Sequence, residues 1–123
     1  MEINVSSEIG TLGGVIIHTP GAEVENMTPM DAHRALYSDI LNLSVARKEY
    51  SQLNGVLSKV TKVFQVSDLL YEVVRKEYAK EELVNTICKH EGVMHLKDEI
   101  MAIPTKQLVN TLIEGLYLTT NTL

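Results

Sequence analysis

The apolar positions of this chain change their spacing once. Up to about Ser67 they mix strand-like and helix-like periods, and beyond it they recur at three and four residues throughout. Gly13-Gly14 and Pro20-Gly21 bound Val15-Ile16-Ile17, an all-apolar run of the kind that forms a short strand covered on both faces. Thr28-Pro29 predicts a helix start, with threonine as cap and proline at the first helical position, where its missing N–H costs nothing. Asp31 in that first turn suits the helix dipole. After a break near Ser38-Asp39, the residues Ala46, Tyr50, Leu53 and Leu57 fall on one stripe of an amphipathic helix. Val60 to Val66, rich in β-branched residues and holding Phe64, predicts a second strand. Because helices join the two strands, they are expected to run parallel in one β-α-β unit. Two strands make a marginal sheet in water, so the unit calls for further strands that this sequence does not obviously supply.

From Ser67 onward four helices are predicted. Ser67 is placed to cap the first, whose stripe is Leu70, Val73, Val74 and Tyr78. Leu83, Val84, Ile87 and Cys88 line the second, which Gly92 can end in a left-handed conformation. A short third helix holds Leu96, Ile100 and Met101, Pro104-Thr105 interrupts, and Leu108, Val109, Leu112, Ile113 and Leu116 line the last. The fold class is therefore helix-rich α/β: a partial β-α-β module over residues 1–66 and a small helical bundle over 67–123.

Composition narrows the function classes. A chain of 123 residues can bury roughly two-thirds of its unfolded surface in one core. With 45% hydrophobic and 22% charged residues, the profile is that of a folded globular protein. No apolar run approaches the roughly 20 residues of a membrane span, and the amino terminus lacks the basic start and apolar core of a signal peptide. The cytoplasm is the expected location. The net charge of −5, with lysine and arginine scattered among acids, provides no basic stripe for a phosphate backbone, so nucleic acid is not an expected partner. The single cysteine excludes an internal disulfide.

Candidate chemistry is sparse. Cys88 is the only possible thiol nucleophile, yet it falls on the apolar side of a helix, where nothing lowers a thiol pKa, and is read as a packing residue. His90 and His95 flank Gly92 without a partner at the spacing that sets two metal ligands on one helix face, so no metal is expected. Glu77, Glu81 and Glu82 read as charge on a solvated helix face. His18 closes the first strand and is assigned a structural place. No catalytic residue and no cofactor site emerges from the residues alone.

Ser7-Glu8-Ile9-Gly10, Leu12, and Val15-Ile16-Ile17-His18-Thr19-Pro20-Gly21 with Glu23 closely resemble the amino-terminal entry of the arginine deiminases, guanidine-modifying hydrolases of the pentein superfamily. The resemblance continues through Leu36-Tyr37-Ser38-Asp39-Ile40-Leu41, through Ala46-Arg47-Lys48-Glu49, where Tyr50 stands in place of a common histidine, to Asp68-Leu69-Leu70 and Leu112-Ile113-Glu114-Gly115-Leu116. It implies part of one propeller module followed by that family's helical insertion. It also implies that the loop of Leu36 and Asp39 lies beside the mouth of the substrate pocket, with Leu36 against substrate and Asp39 ordering the loop.

In the family, arginine and water give citrulline and ammonia without metal or organic cofactor. A cysteine attacks the guanidinium carbon, and a histidine with acidic partners moves the protons. Those groups, and a Pro-Asn-x-x-Phe-Thr-Arg-Asp segment, lie downstream of the stretch that this chain resembles. The isolated chain is accordingly expected to be an inactive deiminase segment, with arginine a substrate only of the complete enzyme. The alternative expectation is a stand-alone binding or regulatory module that self-associates or docks on a full-length deiminase through its unfinished sheet.

Overall fold

The computed structural model describes residues 2–27 and 41–116, and the expectations placed on Thr28-Pro29, Asp31 and Ser38-Asp39 lie outside them. Among the described residues the chain forms β1 (Gly14–Ile17), α1 (Ala22–Glu25), α2 (Leu43–Val60), β2 (Lys62–Gln65), α3 (Val66–Val74), α4 (Glu77–His90), a single tight turn at Met94–Leu96, α5 (Lys97–Met101) and α6 (Thr105–Glu114). The helix-rich reading holds, as does the parallel pair. β1 and β2 run side by side, with Gly14 opposite Lys62, Val15 opposite Val63, Ile16 opposite Phe64 and Ile17 opposite Gln65.

That register sorts the side chains. Val15, Ile17, Val63 and Gln65 share one face of the sheet, and Ile16 and Phe64 share the other. α2 lies over the first face, where Gln65 Nε2 donates to the Tyr50 hydroxyl. On the second face Ile16 is 60% exposed, so β1 is not covered on both sides as its all-apolar sequence predicted. The second strand is also shorter than expected, because Val60 completes α2 and Val66 already opens α3.

α2 starts at Asn42, whose side chain accepts hydrogen bonds from the backbone N–H groups of Ser44 and Val45 and so satisfies two of the helix's orphan donors. Ala46, Tyr50 and Leu57 are half-buried as their stripe predicted, whereas Leu53 is exposed. No residue of this 18-residue helix is fully buried.

The core sits in the helical part, where Val74 of α3, Val84 and Cys88 of α4, Ile100 of α5, and Leu108 and Val109 of α6 form one buried cluster. Tyr78 does not extend the α3 stripe: the chain turns at Arg75-Lys76, and Tyr78 lands in the first turn of α4, largely exposed. Ser67 is not the cap of α3 either, since the helix begins one residue earlier behind Gln65, without a side-chain cap. α4 ends as expected at Gly92, with φ of 69°. Val93 N–H donates to Cys88 C=O at 2.8 Å and Gly92 N–H to Lys89 C=O at 3.4 Å, the paired bonds that close a helix around a left-handed residue. A Cβ at Gly92 would meet nothing, so Gly92→Ala tests backbone strain alone. The expected loss is about 1 kcal/mol, measured by urea denaturation, with Gly92→Asn losing less.

Candidate functional site

In parallel α/β units ligands and reactive groups gather beyond the carboxyl ends of the strands. Here that end carries a connected polar group. His18 follows β1 directly and its Nε2 lies 2.7 Å from Glu23 Oε1. The same carboxylate oxygen accepts the Gly21 N–H at 2.8 Å, which folds the Pro20-Gly21 exit back on itself and seats α1. Thr19 Oγ1 donates to Gln65 Oε1 at 3.0 Å, and Gln65 in turn donates to Tyr50. Arg47 of α2 donates through Nε to Pro20 C=O at 3.1 Å. His18, Thr19, Glu23, Arg47, Tyr50 and Gln65 thus tie both strand ends to α1 and α2. From the far end of the sheet, Thr61 Oγ1 donates to Leu12 C=O at 2.9 Å.

Sequence reasoning gave His18 a structural place and missed the rest of this group. The signal was present in His18-x-Pro-Gly-x-Glu23, since a histidine and an acid flanking a Pro-Gly turn are positioned to meet across it. Partial burial of Glu23 pushes its pKa up, but hydrogen bonds from His18 and the Gly21 N–H, with the nearby His18 charge, outweigh it and hold the pKa below the ordinary value of 4.5. A carboxylate whose pKa falls on folding adds stability that is present above its unfolded value and lost as pH drops through the folded one. The wild-type chain should therefore lose stability as pH falls below 4.5, and Glu23→Gln should flatten that part of the profile. Thermal melts at stepped pH provide the check.

The remaining candidates fall elsewhere. Leu36 and Asp39 lie outside the described residues. Cys88 is wholly buried in α4 among apolar neighbours, as its sequence context predicted, and lines an open cavity of about 590 Å³ with Ile87, Leu96, Leu108 and Leu112. His90 and His95 are exposed, as are Glu77, Glu81 and Glu82. Glu81 pairs loosely with Lys97 at 3.3 Å. Among the described residues no group of three or more His, Cys, Asp or Glu side chains is arranged to hold a metal ion, and no helix is long and apolar enough to cross a membrane. The chain's one thiol is not beside the His18–Glu23 pair but belongs to the helical core.

What these features define is a helix-rich α/β chain whose polar contacts organise loops at the ends of two strands. No family model matches the chain. Its similarity to arginine deiminases is direct. It is 34% identical over 120 residues to the arginine deiminase of Limosilactobacillus reuteri, covering 92% of this chain and 29% of the relative. It is 32% identical over 121 residues to the arginine deiminase of Borreliella burgdorferi and 34% identical over 121 residues to that of Lactococcus lactis subsp. cremoris. In both cases 92% of this chain is covered against 30% of the relative. The chain thus spans about three-tenths of the length of the curated relatives it matches.

Proposed function

We propose that the chain is the amino-terminal segment of an arginine deiminase, supplying scaffold to an enzyme that hydrolyses arginine to citrulline and ammonia in the cytoplasm. The observation that carries this reading is the similarity of nearly the whole chain to about three-tenths of several arginine deiminases. In this reading residues 1–66 are part of a propeller module and 67–123 its helical insertion. The loop of Leu36 and Asp39 borders the pocket of the complete enzyme, Leu36 packing on substrate and Asp39 ordering the loop.

The polar group of His18, Glu23, Arg47 and Gln65 then acts on geometry and not on chemistry. Glu23, held ionised by His18 and Gly21, fixes the direction in which the chain leaves β1 toward that loop. Taken alone the chain is inactive, because its one thiol is a packing residue buried among the apolar side chains of the helical core, with no surface to offer a guanidinium carbon. Grafting this sequence into the Limosilactobacillus reuteri enzyme in place of its matching 120 residues tests the reading. The graft should form citrulline from arginine, and an inert graft that is folded would count against it.

The rival reading, a stand-alone module that associates with itself or with a full-length deiminase, draws its support from the exposed apolar side chains of the β-α-β unit. It predicts a chain that is dimeric at micromolar concentration without any other protein present.

A further inference from the structure

α1 is four residues long, too short to hold a helical conformation by itself, so its place is set by what grips it on either side. One grip is polar. Glu23 Oε1 accepts the Gly21 N–H and meets His18 Nε2 just beyond β1, and Arg47 of α2 fastens the same turn by donating to Pro20 C=O. The other grip is apolar. Val24, next to Glu23, is the buried residue of α1, only 6% exposed, and among the described residues α1 packs on α6. α6 in turn sends Leu108 and Val109 into the cluster that holds Cys88. Val24 is not a member of that cluster, so α1 lies against α6 from outside the core.

The space around the polar grip is closed. A Cβ at Gly21 would stand 2.8 Å from Glu23 Oε2, closer than a carbon and a carboxylate oxygen approach without one of them shifting. The backbone there is extended, with φ of −135°, a conformation open to any residue. Glycine therefore serves at this position by leaving room for the carboxylate, and its conformational freedom is not what the turn uses.

We infer that α1 is a coupling element: closing the His18–Glu23–Gly21 clasp seats Val24 on α6, and through α6 the polar group at the strand ends stabilises the helical core around Cys88. The element has two states. In one, α1 is seated and the clasp is closed; in the other, α1 is released and both the carboxylate and Val24 are in water. Glu23 and Val24 are neighbours in a single helical turn, so neither grip lets go without loosening the other, which makes the link cooperative. The coupling belongs to this chain's own fold and holds apart from the deiminase reading. It means that a change at the strand ends, where ligands gather in parallel α/β units, is felt in the helical bundle.

The test labels Cys88 with a bulky thiol reagent in the complete 123-residue chain, under conditions where reclosing is faster than reaction. Cys88 has no exposed surface, and none of the substituted positions belongs to its cluster. Gly21→Ala drives the carboxylate out of the clasp without changing its charge, and Val24→Ala cuts back the side chain on the α6 side. Each should speed labelling roughly fivefold or more. The double variant should label no faster than the faster single one, because both release the same element. Glu23→Gln keeps an acceptor for the Gly21 N–H but loses the charge that faces His18, and should fall between these variants and the parent. Amide exchange should rise at Gly21, Val24 and Asn26, whose N–H groups are bonded within the turn and α1, while Gly14–Ile17 keeps the parent's protection. Labelling of Gly21→Ala or of Glu23→Gln at the parent's rate overturns the coupling. Single effects that multiply in the double variant also overturn it, since they mark two independent losses. Exchange that rises equally across the whole chain, β1 included, does the same and assigns both residues to general stability.

Discussion

Leu108→Ala should cost this protein about 3 kcal/mol, within the range of about 2–5 for a buried leucine cut back to a methyl group. Leu108 is fully buried in α6 and packs in the cluster with Val74, Val84, Cys88 and Ile100. The core holds few buried residues, so the lost contacts have little redundancy behind them. The same side chain lines the open cavity of about 590 Å³, so truncation extends that cavity into the core instead of leaving a closed void. Cys88 provides the readout. It is the only thiol and, although it stands behind the cavity wall, has no exposed surface, so a bulky thiol reagent reaches it only when the bundle opens. A 3 kcal/mol loss should speed its labelling roughly a hundredfold or more under conditions where reclosing is faster than reaction. Labelling no faster than in the parent would show that Leu108 and Cys88 do not share one cooperative core.

Lys80→Met is the second large effect, and it comes from an unusual residue for a core. Lys80, Val84 and Cys88 repeat at four residues on the buried stripe of α4, and Lys80 is only 7% exposed. Its ammonium donates to Met101 C=O at 2.6 Å and to Ile103 C=O at 3.2 Å. These carbonyls lie where α5 ends and the chain turns into α6, so the cation satisfies groups that a finished helix leaves without partners and sits favourably at its negative end. Methionine keeps the apolar stem and removes the donors. The expected loss is about 1–3 kcal/mol, the cost of leaving buried acceptors unpaired. Amide exchange should rise first across residues 101–103, while the β-α-β unit is unaffected. A uniform loss across the chain would instead assign Lys80 a general packing role.

The contrast between these two residues shows what the sequence could express. Leu108 was legible because its neighbours Val109, Leu112 and Ile113 repeat at helical spacing, and Gly92 because only a left-handed residue closes α4 as it does. The strand pair was legible from Gly and Pro punctuation around β-branched runs. Lys80 was not, since its acceptors lie 21 and 23 residues away on backbone that no local pattern marks. Ser67 lost the cap of α3 because β2 passes into the helix without a loop, leaving the boundary to tertiary packing. Leu53 was assigned to the sheet-facing stripe because periodicity reports an apolar arc but not how much sheet lies beneath it. The same limit hid the open face at Ile16. At the strand ends, His18 and Glu23 could have been paired across their Pro-Gly turn, whereas the link from Tyr50 through Gln65 to Thr19 required the folded register.

The account stands on the claim that this chain contributes deiminase scaffold and no chemistry of its own. Citrulline formation from arginine, measured in parallel for the purified 123-residue chain and for its graft in the Limosilactobacillus reuteri enzyme, tests that claim most directly. The account predicts no turnover from the chain alone and turnover from the graft. Turnover by the chain alone, or a folded graft that forms no citrulline, would contradict it.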